Sequence, residues 1–262
     1  MRASILLASV LGATALAAPA TPSFNPNAAA PGGLDSVAEY FNMLATKVQE
    51  SKNMAAVPVC EVSKAQQPIA SPTPLPPPTA GLILKHVAIG RGTQNYTCDT
   101  KNATAIPVAN GALATLYNAS CIAGVYPDLL NTLPRVALQF NLTDAPKMAP
   151  SNLVVSGVHY FPNPTTPFFN LDTAASKLGQ ANCAKNASVS APADAPKGQK
   201  GEAAVPWLKL TTKTGATGDL QEVYRLETAG GSAPATCAGM PATFEVQYSA
   251  QYWFYESVPK KA

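Results

Sequence analysis

The sequence predicts a mostly β protein, folded as an antiparallel β-sandwich or alternatively a β-barrel, with one amphipathic helix on its N-terminal side. Three observations predict it: strict alternation in the last long apolar stretch, about eight β-like runs cut by Gly and Pro signals, and neither an internal repeat nor a strand–helix alternation. In that last stretch Phe244, Val246, Tyr248, Ala250, Tyr252 and Phe254 share one face, while Thr243, Glu245, Gln247, Ser249 and Gln251 share the other. Trp253 and Tyr255 interrupt the polar face. That end of the strand is therefore either covered on both sides or offers aromatic surface to a partner.

Taken in order, the chain opens with Met1 and Arg2, an apolar run from Ile5 to Leu16, and an Ala15-Leu16-Ala17 cleavage signature. These read as a signal peptide over 1–17. Residues 18–33 are rich in Ala, Pro and Asn and form a disordered leader. Over 34–55, Leu34, Val37, Tyr40, Phe41, Leu44 and Val48 recur at helical spacing, and Ser36 with Glu39 makes a capping box. A helix from Asp35 to about Lys52 follows, with its stripe packed on the β domain. In the linker 56–80, Pro58, Pro68, Pro72, Pro74, Pro76, Pro77 and Pro78 exclude a regular hydrogen-bonded element, and Cys60 within it offers an anchor.

The β domain spans 81–257. Leu82 to Ile89 reads as a strand, Gly90-Arg91-Gly92 as a turn, and Gln94 to Asp99 as a second extended run. Ala112 to Tyr117 and Arg135 to Leu142 are further strands, with Asn131 to Pro134 turning between them. Leu153 to Phe161 is strongly β-like and stops at Pro162-Asn163-Pro164. Asn182 to Glu202, short of large apolar residues, reads as a mobile loop. Val205 to Thr212 and Leu220 to Thr228 flank Gly215 to Asp219 as a hairpin, and a basic tail, 258–262, ends the chain.

Composition narrows the partners. Charged residues make up only 13% of the chain, and the net charge of +3 falls to +2 once Arg2 leaves with the signal peptide. Without a basic run there is no footprint for nucleic acid, and no later stretch is long and apolar enough for a membrane span. Asn95, Asn102, Asn118, Asn141 and Asn186 each begin a glycosylation sequon, which fits a secreted glycoprotein. Five cysteines allow at most two internal disulfides. Cys98 with Cys121, neighbours across a hairpin, is the favoured pair; the leftover thiol is read as buried and inert.

Five blocks, in this order, carry a resemblance. They are Leu84 to Cys98 with Gly90, Gly92, Gln94 and Tyr96; Gly157-Val158-His159-Tyr160; Val205-Pro206-Trp207-Leu208; Tyr224-Arg225-Leu226 with Thr228 and Gly230-Gly231; and Tyr248 to Tyr255. Over Gly81 to Glu256 the chain resembles a family of secreted fungal and bacterial proteins of unknown function, some of whose members are loosely labelled malate dehydrogenase. The resemblance implies a secreted domain of undetermined activity and carries over no catalytic residue.

The dehydrogenase label fails on the residues. Gly90-x-Gly92 follows a strand, but Asn95 stands where the third glycine belongs, and Tyr96 to Thr100 are poor helix formers, so no helix N-terminus would receive a dinucleotide phosphate. No cofactor is expected. No metal site is either, since His86 and His159 are the only histidines and no C-x-x-C pair occurs. His159 is the better candidate for a hydrolase base, and Glu222 with Glu227 the candidate carboxylates. For binding, Tyr160, Phe161, Phe168, Phe169, Trp207, Tyr224, Tyr252, Trp253 and Tyr255 offer an aromatic platform with Arg225 as polar anchor; Trp253 and Tyr255 are the foremost candidates. The expectation is a secreted, non-enzymatic cell-surface or extracellular protein taking cell-wall polysaccharide or a small apolar ligand, with an extracellular hydrolase acting on polysaccharide or ester as the alternative.

Overall fold

In the computed structural model, which describes residues 24–25, 32–54, 56 and 58–258, eight strands close on themselves. The signal segment 1–17, residues 18–23 and 26–31 of the leader and residues 259–262 lie outside the described residues. The elements run α1 (Gly33–Lys52), a short 3-10 turn (Val62–Lys64), β1 (Leu82–Thr97), β2 (Val108–Asn118), α2 (Ser120–Val125), α3 (Pro127–Ala137), β3 (Lys147–Met148), β4 (Leu153–Asn163), β5 (Thr166–Asp172), β6 (Lys177–Val189), β7 (Trp207–Thr212), β8 (Leu220–Gly230) and β9 (Thr243–Ser257). Strand order is β2-β1-β9-β8-β7-β6-β5-β4, all antiparallel, and β2 pairs with β4 to complete the ring. Of the two architectures expected, the barrel is the one formed. Closure removes both exposed sheet edges.

The alternation read in the sequence becomes inside and outside. Tyr248, Ala250, Tyr252 and Phe254 of β9 fill the barrel with Ala88, Leu116, Phe169, Leu171, Leu210 and Val223. On the other face Trp253 and Tyr255 join Val87, Ile89, Tyr117, Tyr224 and Leu226 in a second core. That core is roofed by residues of α1, α2, α3 and the proline-rich segment. So β9 is covered on both faces, and this is why its far end carries aromatics at consecutive positions.

Gly90-Arg91-Gly92 is no turn. β1 runs straight through it, with Gly90 paired to Leu116 of β2 and Ala250 of β9. A Cβ on Gly90 would strike the Tyr252 ring, and one on Gly92 would strike the Leu113 carbonyl oxygen. Both glycines thus serve close strand packing. Between them Arg91 lies buried and donates to the carbonyl oxygens of Ala137 (3.1 Å), Phe140 (3.1 Å), Gly92 (3.2 Å) and Tyr248 (3.3 Å), and to Gln247 Oε1. Burial lowers its pKa to about 10, so the cation persists at neutral pH against the carbonyl end of α3.

Two further expectations are corrected. Asn131 to Pro134 and Arg135 to Ala137 belong to α3, where Leu129, Leu130, Leu133, Val136 and Ala137 are buried at helical spacing behind Pro127 at the first turn. Pro134 sits inside the helix without ending it. Asn182 to Val189 is the second half of β6, paired with β7. The Gly215 to Asp219 hairpin between β7 and β8 forms as expected, with Gly215, Gly218 and Asp219 at positive φ.

The favoured disulfide is also overturned. Cys60 bonds Cys121 and Cys98 bonds Cys237, leaving Cys183 free and buried in the barrel. Cys98 follows the end of β1 beside the start of β2, whereas Cys121 comes after the end of β2. The 11 residues of β2 span roughly 35 Å, so the two cysteines lie at opposite ends of the wall. Cys60–Cys121 ties the proline-rich segment to α2. Further along, Gln67 Oε1 accepts from Tyr255 (2.8 Å), Pro76 O from Tyr224 (2.9 Å) and Pro77 O from Lys209 (2.8 Å). The segment is a strap across β7, β8 and β9. Two disulfides suit an oxidising compartment, and among the described residues no helix is long and apolar enough to cross a membrane.

Candidate functional site

His159 points into the barrel. It is 3% exposed, its ring stacks on Phe169 at 4.2 Å, and its Nδ1 lies 2.9 Å from the Phe168 carbonyl oxygen, which makes Nδ1–H the donor. Burial lowers its pKa to about 4, with Arg225 adding a like charge, so it is a neutral imidazole set in a wall. His86 is equally enclosed, held between Ser120 Oγ and Ser156 Oγ at 2.9 Å each, and burial lowers it to about 4 as well. Both imidazoles are enclosed by protein, His86 at 2% and His159 at 3% exposure. Glu222 is occupied too, paired with Lys209 Nζ (3.0 Å) and accepting from Thr79 Oγ1 (2.6 Å) at the end of the strap. Glu227 is a half-buried bulge residue with φ 46°, its carboxyl raised by burial and by the charge of Asp194.

The outer core under the roof takes in residues of β1, β2, β7, β8 and β9 and reaches Leu153 and Val155 of β4 and Val189 of β6, while β5 and the farther parts of β4 and β6 contribute nothing to it. Here Tyr160, 38% exposed, pairs in register with Phe168, and the two rings meet edge to face with centroids 5.0 Å apart. They line a groove of about 460 Å³ with Pro162, Asn163, Thr166, Asn182, Lys213 and Thr214. Lys213 Nζ donates to Thr166 Oγ1 (3.1 Å), which sets an ammonium at the groove rim. Asn182, Asn163 and Thr214 are exposed beside it. Registers extend the aromatic pair into one row across five strands: Thr93, Leu113, Tyr160, Phe168, Asn182. Four strand spacings make that row roughly 19 Å long. Its far end opens on a second hollow of about 240 Å³ lined by Arg91, Thr93, Leu113, Thr115, Asp144 and Glu245 among others.

Residues 78–256 match the model of a family described as a protein of unknown function, DUF3455. The chain belongs to this family. The DUF3455 match begins at Pro78, where the strap ends, and stops at Glu256, one residue before the end of β9. It therefore takes in the whole barrel with α2 and α3, and leaves α1 outside. Neither the curated proteins nor the solved structures contain a match.

Within the DUF3455 barrel the candidate ligand residues are scattered rather than convergent. Trp253 is fully buried and Tyr255 is 8% exposed, both under the roof and not on an open face. Arg225 donates to the Pro206 carbonyl (2.9 Å) and to Gln94 Oε1 (3.5 Å) and is 9% exposed. All three hold structure. Of the aromatics singled out in the sequence, Tyr160 and Phe168 alone line the groove, and Asn163, Thr166, Asn182 and Lys213 beside them were missed. The signal was present: Thr166, Phe168 and Asn170 alternate with the apolar inward pair Phe169 and Leu171. Pro162, Pro164 and Pro167 crowd the run and mask that alternation from local rules.

Proposed function

We propose that this chain is a secreted, N-glycosylated, non-enzymatic protein that holds extracellular polysaccharide on the open wall of its barrel. One observation carries the reading: a solvent-facing aromatic pair, Tyr160 and Phe168, ringed by the amides of Asn163 and Asn182, the hydroxyl of Thr214 and the ammonium of Lys213. A sugar ring has an apolar C–H face and a polar rim, so flat aromatic surface beside short, adaptable hydrogen-bonding groups is its complement. The row is longer than one ring, and Leu113 (57% exposed), Tyr160 (38%) and Asn182 face solvent along it, which suits a polymer better than a small enclosed ligand. Two disulfides and the sequons support an exported molecule; Asn102, Asn118, Asn141 and Asn186 are exposed and Asn95 is half-buried. The hydrolase alternative has lost its leading base, since His159 is enclosed and neutral.

The test is binding of the intact chain to a panel of soluble oligosaccharides and insoluble cell-wall polysaccharides, with Tyr160→Ala as the variant. Tyr160→Ala is expected to weaken binding at least tenfold, about 1.4 kcal/mol, with the melting temperature little changed because the side chain is on the outer wall. Equal binding by the variant removes the groove from the reading. Release of reducing sugar by the wild type would replace binding with hydrolysis.

A further inference from the structure

The apolar stripe of α1 is wider than the surface it packs against. Tyr40 is buried, and Val37, Met43 and Leu44 pack half-buried on the outer core. On the same helix Leu34 (70% exposed), Phe41 (48%) and Val48 (46%) face solvent, with Ala38 and Ala45 exposed between them. Leu34, Ala38, Phe41, Ala45 and Val48 follow a 4-3-4-3 spacing, which is the seam of a two-helix pair. Over this stretch the seam is roughly 21 Å long.

Its size pattern reads the same in both directions: large, small, large, small, large, with Phe41 at the centre. Set against an antiparallel copy of itself, Leu34 meets Val48, Ala38 meets Ala45, and Phe41 lies on the two-fold axis. Along this register the large residues meet one another, Leu34 with Val48 at each end and Phe41 with its copy at the centre, and the alanine pairs lie between these three apolar contacts. Charge agrees with that direction. Asp35 stands in the first turn and Lys52 in the last, so antiparallel packing brings acid toward base, whereas parallel packing would set like charges together. The residues alongside the seam, Asp35, Asn42 and Gln49, include no cation, which argues against an anionic membrane as the occupant.

We infer that α1 is a self-association face, through which two copies of this chain pair antiparallel along Leu34 to Val48 about a two-fold axis at Phe41. The interface is isologous, so a closed dimer forms and not a filament. It is independent of the groove on the β4–β6 wall.

Sedimentation equilibrium of the full chain at micromolar concentration should give twice the monomer mass. Phe41→Lys should weaken the dimer by about 100-fold or more, as loss of a central anchor does, with an unchanged melting temperature for the monomer because the side chain is exposed. Under mild oxidation, Phe41→Cys should cross-link to itself. Leu34→Cys and Val48→Cys should cross-link to each other when mixed, and neither to itself. A monomeric wild type, a dimer indifferent to Phe41→Lys, or self-cross-linking of Leu34→Cys overturns the proposal. So does binding of a monomeric wild type to phosphatidylserine vesicles that Phe41→Lys abolishes.

Discussion

Trp253→Ala is expected to destabilise the fold by about 3 to 5 kcal/mol, a large share of the 5 to 15 kcal/mol that a domain typically has. The indole is wholly enclosed on the outer face of β9, in the core shared with α3 and the strap. Its Nε1–H donates to Gln251 Oε1 (2.9 Å), and Gln251 Nε2 in turn donates to Asn131 Oδ1 of α3 (2.9 Å). Truncation opens a cavity beneath the helix and strips the Gln251 carbonyl of its donor, so the transfer, cavity and hydrogen-bond terms act in one direction. Guanidinium denaturation of wild type and variant measures this as a shift of midpoint at constant slope. A shift below about 1 kcal/mol would mean that the roof does not pack on β9 as described. Tyr160→Ala serves as the comparison, since that side chain stands on the outer wall and not in the core.

What was legible in the sequence was set by local pattern, and what was missed depended on distant partners. Alternation in β9 announced a strand and placed Tyr248, Tyr252 and Phe254 on one face, because that pattern depends only on the pleat. Trp253 and Tyr255 could be read as covered or as open; the choice rests with α3 and the strap, more than a hundred positions earlier in the chain. Gly90 and Gly92 look like turn residues to local rules. Their actual constraint comes from the Tyr252 ring and the Leu113 carbonyl, which no local pattern reveals. The same holds for Arg135 to Ala137, whose β-like residues follow a proline but complete α3 because Leu130, Leu133 and Val136 seat that helix on the barrel. For the candidate site, Tyr160 and Phe168 were visible as aromatics, yet their union needed the β4–β5 register. Tyr160 alone of the singled-out aromatics is exposed, and the register sets the half-buried Phe168 beside it.

The barrel should lose stability on mild acidification, well before its carboxylates are neutralised. His86 and His159 have an ordinary pKa of 6.5, and burial holds each to about 4 in the folded chain; Lys85 disfavours the charge on His86 further, and Arg225 does so on His159. Above pH 6.5 neither the folded nor the unfolded state binds these protons. Between 6.5 and 4 the unfolded chain takes up both while the folded chain takes up neither, so stability falls as pH falls through that window. Below 4 both states are protonated and the loss levels off. Each histidine contributes roughly 3 kcal/mol to this drop, on the order of 6 kcal/mol together. Glu227, raised by burial, acts in the opposite sense, and Asp172, lowered by bonds from Gly179 and Gln180, adds its loss only at more acid pH. Denaturation midpoints at pH 7 and pH 4.5 should differ accordingly, and His159→Phe, which keeps a ring on Phe169, should flatten the curve by about half. The imidazole nitrogen resonances give the decisive reading: a folded-state titration of either ring near pH 6.5 would mean that it is solvated and that the barrel interior is not closed around it.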